Sequence, residues 1–160
     1  MTTPAPPVPA LLVHQLHHRY SAAVHAVRGL DLEVAQGECF GLLGPNGAGK
    51  TTTIEILEGL LEPSEGEVRV LGLDWRQHRA GLRARLGITL QQTHLPDKLT
   101  VQEVLTLFRS FHPRQRSVDE VLSAVSLQDK RTARCDQLSG GQKQRLAVAC
   151  ALVVSTSLTS

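Results

Sequence analysis

Apolar and polar residues roughly alternate along Leu11 to Tyr20 and again along Val27 to Val34, the period-two pattern of strands with one buried face, and Gly37-Glu38 supplies the turn that follows. Together they predict an antiparallel opening. Cys39-Phe40-Gly41-Leu42-Leu43 is instead a short continuous apolar run ending in glycines, which predicts a strand buried on both faces of a parallel sheet. From Lys50 to Leu61 the apolar positions Ile54, Ile56, Leu57, Leu60 and Leu61 recur at near-helical spacing until Pro63-Ser64-Glu65-Gly66 breaks them. Glu67 to Leu71 and Leu86 to Leu90 predict two more strands, with a short helix at Arg79 to Arg85 between them.

Past Gln92 the period changes. Thr100 is followed three residues later by Glu103, a capping pair, and Val104, Leu105, Leu107, Phe108 and Phe111 continue at helical spacing to Pro113. Val118 to Val125 and Gln142 to Val153 predict two further helices, so an α/β first half carries a helical subdomain over about 93–140. Phe108 and Phe111 are expected in the core of that subdomain. The proline-rich residues 1–10 and the serine- and threonine-rich residues 155–160 are expected as a disordered and a polar tail around a domain at 11–154.

Composition narrows the function classes. With 160 residues and 41% hydrophobic content the chain suits one domain or part of one. Seventeen Lys and Arg against fifteen Asp and Glu leave a net charge of +2, which argues against nucleic acid as a partner. The run Arg76, Arg79, Arg83 and Arg85 then reads as a solvated face. Cys39, Cys135 and Cys150 are too far apart for a zinc site or a disulfide framework, and they suit a reducing cytoplasm. No apolar run reaches the roughly 18 residues of a membrane span, and the first residues lack the basic start of a secretory signal. On an ideal strand His14 and His18 share one face while His17 points away, so these histidines read as a solvated strand edge rather than a metal site.

Gly44-Pro45-Asn46-Gly47-Ala48-Gly49-Lys50-Thr51 matches the phosphate-loop pattern at every fixed position and lies between an apolar run and a helix. Its glycines allow successive backbone N–H groups to face an anion, and the helix that follows points its positive dipole end at the same charge. Lys50 would reach the β- and γ-phosphates, Thr51 would offer its hydroxyl to Mg²⁺, and backbone donors through Thr52 would line the cradle. The loop alone leaves kinases, GTPases and transport ATPases open.

Leu138-Ser139-Gly140-Gly141-Gln142, running on through Lys143-Gln144-Arg145, narrows that choice. A serine and two glycines ahead of a helix make a second anion site from the same physical parts. With the loop at 44–51, it resembles the nucleotide-binding domain of ABC transporters, whose signature is Leu-Ser-Gly-Gly-Gln. The resemblance implies the ABC-type phosphate-loop fold, with an antiparallel β subdomain, a parallel core sheet and a helical subdomain. It implies ATP and Mg²⁺ as ligands and a head-to-tail dimer in which Leu138 to Gln142 of one subunit close on the nucleotide of the other. It also implies a separate membrane permease as partner, and a place at the inner face of the plasma membrane.

Two further positions follow from the resemblance. Tyr20 stands where the family stacks an aromatic ring on adenine, and Gln91 where a glutamine joins Mg²⁺ and water to the transporter interface, with Lys50 and Gln91 as catalytic positions. The texture of residues 41–60 looks most like the drug and antibiotic exporter branch. After Leu152 the family runs on into a strand ending in Asp-Glu and a later histidine, whereas this sequence reads Val153-Val154-Ser155-Thr156-Ser157-Leu158-Thr159-Ser160. The expectation is therefore a subunit interrupted before its catalytic glutamate, binding ATP with little hydrolysis of its own. The alternatives are a binding-only fragment and a soluble ABC-type ATPase.

Overall fold

The computed structural model describes residues 7–89, 95–112 and 116–154, and the chain divides into two compact units, Met1–Leu82 and Arg83–Ser160. In the first, β1 (Leu11–Arg19) is the central strand of a three-stranded antiparallel sheet, between β2 (His25–Val34) and β3 (Glu65–Val70). Leu11 faces Val34 and Val70, and Val13 faces Leu32 and Val68. The alternation seen in the sequence therefore delivers Val13, Leu16, Val27 and Val68 to one buried cluster, closed by Ile56 and Leu57 of helix α1 (Lys50–Leu57).

β1 is not regular. Its register slips between Val13 and Leu16, where Gln15 takes a left-handed φ of 46°, and again at Leu16–His17 and His18–Arg19. Asp31 holds the bulge by accepting the Gln15 backbone N–H at 2.8 Å and its side-chain amide. These hydrogen bonds hold the Asp31 carboxyl below the usual carboxylate range. Gly66, at φ 94°, passes so close to the bulge that a Cβ would lie 2.2 Å from the Gln15 carbonyl oxygen. Helix α2 (Trp75–Arg83) kinks at His78, and its Trp75 indole donates to the Leu57 carbonyl at 3.0 Å.

Two predicted strands do not form. Cys39–Leu43 carries no strand pairing, and Phe40 and Leu43 are 45% and 92% exposed. An apolar run becomes a buried strand only when neighbours bond to both its edges, and among the described residues the sheet is antiparallel and none of its strands pairs with 39–43. Leu86–Thr89 is likewise unpaired, and Leu90 lies outside the described residues. This segment runs against a helix instead: Gly87 sits where a Cβ would be 2.1 Å from the Ala151 oxygen, and the Thr89 hydroxyl donates to the Ala147 carbonyl at 3.3 Å.

The second unit is helical. α3 (Val101–Ser110) and α4 (Val118–Ala124) pack on α5 (Gly140–Val154) through Val101, Val104, Leu105, Val121, Leu122, Leu146 and Val153, each 1% exposed or less. The period of 3.6 seen in the sequence is this buried stripe. Phe108 packs against the cluster, but Phe111, expected in the core, is 66% exposed as the C-cap of α3, where the helical period no longer aims a side chain inward. Cys135 and Cys150 are buried in the same cluster, and burial pushes the Cys150 thiol up to about 12.

Candidate functional site

The chain enters α1 through Gly47 and Gly49, at φ 83° and 82°, a conformation that only glycine adopts without strain. Gly49 is also pressed against β2: a Cβ there would lie 2.3 Å from the Ala26 carbonyl oxygen, so no side chain fits. As N-cap of α1, Gly49 offers no side-chain acceptor to the first turn, and that turn contains no acid. The helix opening thus keeps its N–H groups and its positive dipole end for an external anion. Gly44, Pro45, Asn46, Gly47 and Ala48 are all exposed around it. An open cavity of about 500 Å³ adjoins the loop, lined by His25, Ala26, Arg28, Leu43, Gly47 and Lys50 among others.

Lys50 curls over the start of the loop, its ammonium donating to the Gly44 and Pro45 carbonyls at 2.7 and 2.6 Å. These contacts place the one side-chain cation of the motif over the peptide groups that curve around the cradle. The three threonines that follow divide their work. Thr53 donates to the Gly49 carbonyl at 2.9 Å and Thr52 is bonded to the Tyr20 hydroxyl at 3.1 Å, while Thr51 is exposed and its hydroxyl engages none of the described residues. Thr51 is therefore the one with an oxygen available to a hard cation such as Mg²⁺.

Tyr20 is 55% exposed just past the end of β1, with its ring edge-on to His18 at 4.8 Å between centroids. Its bond to Thr52 fixes the ring beside the first turn of α1, which brings residues 32 positions apart in sequence into one site. Gln91, and with it the neighbouring Gln92, lies outside the described residues.

In the second unit, Leu138 anchors the signature segment from inside the helical core, and Ser139, Gly140 and Gly141 are exposed at the opening of α5. Ser139 and Gln142 form a reciprocal cap: the Ser139 N–H donates to the Gln142 side chain at 2.8 Å, and the Gln142 N–H donates to the Ser139 hydroxyl at 3.3 Å. A Cβ on Gly140 or Gly141 would meet nothing within 4 Å, so the surface beside both residues is open.

Of the histidines, His14 is exposed as expected, whereas His18 is not, and β1 is the central strand rather than an edge. His18 is 9% exposed and bonded to the Glu62 carbonyl at 3.0 Å, His14 pairs with Asp31 at 2.9 Å, and His17 meets His25 at 3.3 Å. The bulges in β1 redirect these side chains, which an ideal alternation misassigns. The arginines expected to be solvated, Arg76, Arg79, Arg83 and Arg85, are exposed, and Arg79 also donates to the Gly59 carbonyl at 3.0 Å. Sequence reasoning also missed Ala26, which braces Gly49, and the role of the Thr52 side chain, expected only as a backbone donor, in bracing Tyr20. Neither carries a local signal, because each matters only through a partner distant in the chain.

A family model described as ABC transporter matches residues 27–159, a span containing both the loop and the signature. The chain belongs to the ABC transporter family. It is 42% identical over 132 residues to the Nod factor export ATP-binding protein I of Paraburkholderia xenovorans, covering 79% of this chain and 43% of that protein. It is 40% identical over 151 residues to the phosphonates import ATP-binding protein PhnC 1 of Pseudomonas syringae pv. syringae, covering 84% and 57%. The chain thus spans about half the length of these curated relatives. Among solved structures it resembles cbiO1 from Clostridium perfringens, described as part of the ABC transporter complex cbiONQ, with a TM-score of 0.79, 29% identity and coverage of 91% of this chain and 62% of that one. The dimeric bacterial ABC transporter cassette MJ0796 matches with a TM-score of 0.72 and 28% identity, covering 90% and 69%. The fold is that of an ABC-type phosphate-loop nucleotide-binding domain. Among the described residues, no helix is long and apolar enough to cross a membrane.

Proposed function

We propose that these 160 residues form the ATP-binding part of an ABC transporter subunit, which drives substrate movement through a separate membrane permease. The observation that carries this reading is the opening of α1, where a left-handed Gly49, Lys50 and a tyrosine held by Thr52 converge in one unit. Gly44 to Thr52 would wrap the phosphates with backbone donors, Lys50 would turn from the loop carbonyls to the β- and γ-phosphates, and Tyr20 would stack on the base. Thr51 would hold Mg²⁺, with Gln91 as a second ligand on the family resemblance. The ion, when bound, shares the phosphate charge.

Leu138 to Gln142 would act on the nucleotide of a second subunit, with the Gly140 and Gly141 N–H groups and the Ser139 hydroxyl proton as donors. The dimeric cassette among the structural neighbours supports this arrangement, and cbiO1, as part of a transporter complex, supports the permease partner and a position at the inner membrane face. Hydrolysis is assigned to the assembled subunit, since none of the described residues lining the cavity at the loop is a carboxylate that could orient water. Export is the direction favoured by the texture of residues 41–60 and by the Nod factor relative, and the phosphonate importer pulls the other way. Transport into or out of vesicles by the subunit with its cognate permease decides it.

The binding reading is tested by equilibrium titration. Lys50→Ala should weaken ATP binding at least about tenfold, near 1.4 kcal/mol. Tyr20→Ala should cost ATP roughly 1–3 kcal/mol and leave inorganic triphosphate unaffected, because stacking concerns only the base. An unchanged ATP affinity in the lysine variant would remove the phosphate assignment. Equal losses for both ligands in the tyrosine variant would make Tyr20 a structural residue.

A further inference from the structure

We infer that His17 and His25 form a two-imidazole site for a late first-row dication, Zn²⁺ or Cu²⁺, on the β1–β2 pair. His17 Nδ1 and His25 Nε2 stand 3.3 Å apart with their rings stacked at 5.4 Å between centroids. Two nitrogens bound to one tetrahedral ion, each about 2.0–2.1 Å from it, are separated by roughly the same 3.3 Å. The spacing is already that of the chelate. His17 stands next to the register slip at Leu16–His17 in the β1–β2 pairing.

The surroundings fit neutral imidazole ligands. Desolvation and the charges of Arg19, Arg28 and His17 hold the His25 pKa below the ordinary histidine value. The two guanidiniums oppose a dication, and Glu65 is the register partner of His17 in the β1–β3 pair. His14 and His18 are engaged by Asp31 and the Glu62 carbonyl and do not compete. Among the described residues no three such side chains converge, so the remaining coordination positions fall to water and the ion exchanges. Imidazole selects zinc and copper over magnesium, which keeps this site separate from Thr51.

The test is calorimetric titration of the tag-free chain with Zn²⁺, with Cu²⁺ and with Mg²⁺ near pH 7.5. Expected are one zinc or copper per chain and no competition from Mg²⁺. His17→Gln and His25→Gln should each weaken binding at least about tenfold, and His14→Gln should leave it within about twofold. Circular dichroism confirms that each variant is folded, and since both rings are near the surface either one suffices. Native chain that binds neither ion, or binding that survives both single substitutions, overturns the proposal.

Discussion

The two glycine-rich helix openings use the same parts to different ends. At α1 the N-cap is a left-handed glycine with no side chain to cap the first turn, and no acid stands in that turn. At α5 the serine and glutamine of the signature cap each other, so the Ser139 and Gln142 N–H groups are both already satisfied and those of Gly140 and Gly141 are left. An opening without a cap is less stable by about 1 kcal/mol than a capped one, and tolerates this because the anion takes the place of the cap. The phosphate loop is therefore built as an incomplete helix start held in shape by β2. The signature is a complete one that rests on its own core through Leu138. Their settings differ in the same sense, the loop lying beside exposed apolar residues and the signature on a dense helical cluster.

If that contrast is real, core and surface leucines should separate widely. Leu146, fully buried on α5, should cost roughly 2–5 kcal/mol when changed to alanine, through lost burial and the cavity left behind. Leu43, 92% exposed beside the loop, should change stability by no more than about 0.5 kcal/mol in the same substitution. Denaturant unfolding measures both. A large cost at Leu43 would mean that the run 39–43 is packed against something and that the loop is braced from both sides.

The glycines sharpen the comparison at smaller amplitude. Gly49→Ala forces a left-handed alanine onto the Ala26 carbonyl and should cost at least about 1–2 kcal/mol together with nucleotide affinity. Gly141→Ala, with open space around it in the first turn of α5, should be neutral or stabilising by up to about 1 kcal/mol. Equal penalties would show that the signature glycine is as constrained as the loop glycine.

Much of this was legible in the sequence, and what was not has a common cause. The loop, the signature and the helices at 101–110, 118–124 and 140–154 are local statements: caps, glycines and a 3.6 period lie within a few residues of what they determine. The strands expected at 39–43 and 86–90 depend on edges supplied from elsewhere, and an apolar run says that burial is wanted without saying by what. The histidine positions failed through the repeated register slips of β1, which break the alternation the face assignment rests on. Tyr20 was placed by resemblance. Its anchor, Thr52, emerges only when β1 and α1 are folded together.

The smallest effect expected concerns acid. α3 and α4 open with capping boxes in which Glu103 and Glu120 accept the Thr100 and Ser117 backbone N–H groups at 2.8 and 3.0 Å, while neither α1 nor α5 has an acid in its first turn. Hydrogen bonds from Thr100 and Ser117 hold these two carboxyls below the ordinary glutamate value of 4.5. A group whose pKa is depressed by folding stabilises the folded state above its unfolded value and loses that contribution as pH falls through the folded one. The second unit should therefore begin to lose stability below pH 4.5, and the loss should be complete once the pH lies under the folded values of Glu103 and Glu120. Thr100→Ala or Ser117→Ala should each cost about 1 kcal/mol at neutral pH. Replacing both glutamates with glutamine keeps the reciprocal hydrogen bonds but removes the titration, so it should flatten the acid limb of far-UV ellipticity. Fluorescence of Trp75, the single tryptophan and a residue of the first unit, should respond less to that replacement. Identical acid profiles with and without the glutamates would mean that the caps are not what holds the helical unit at low pH.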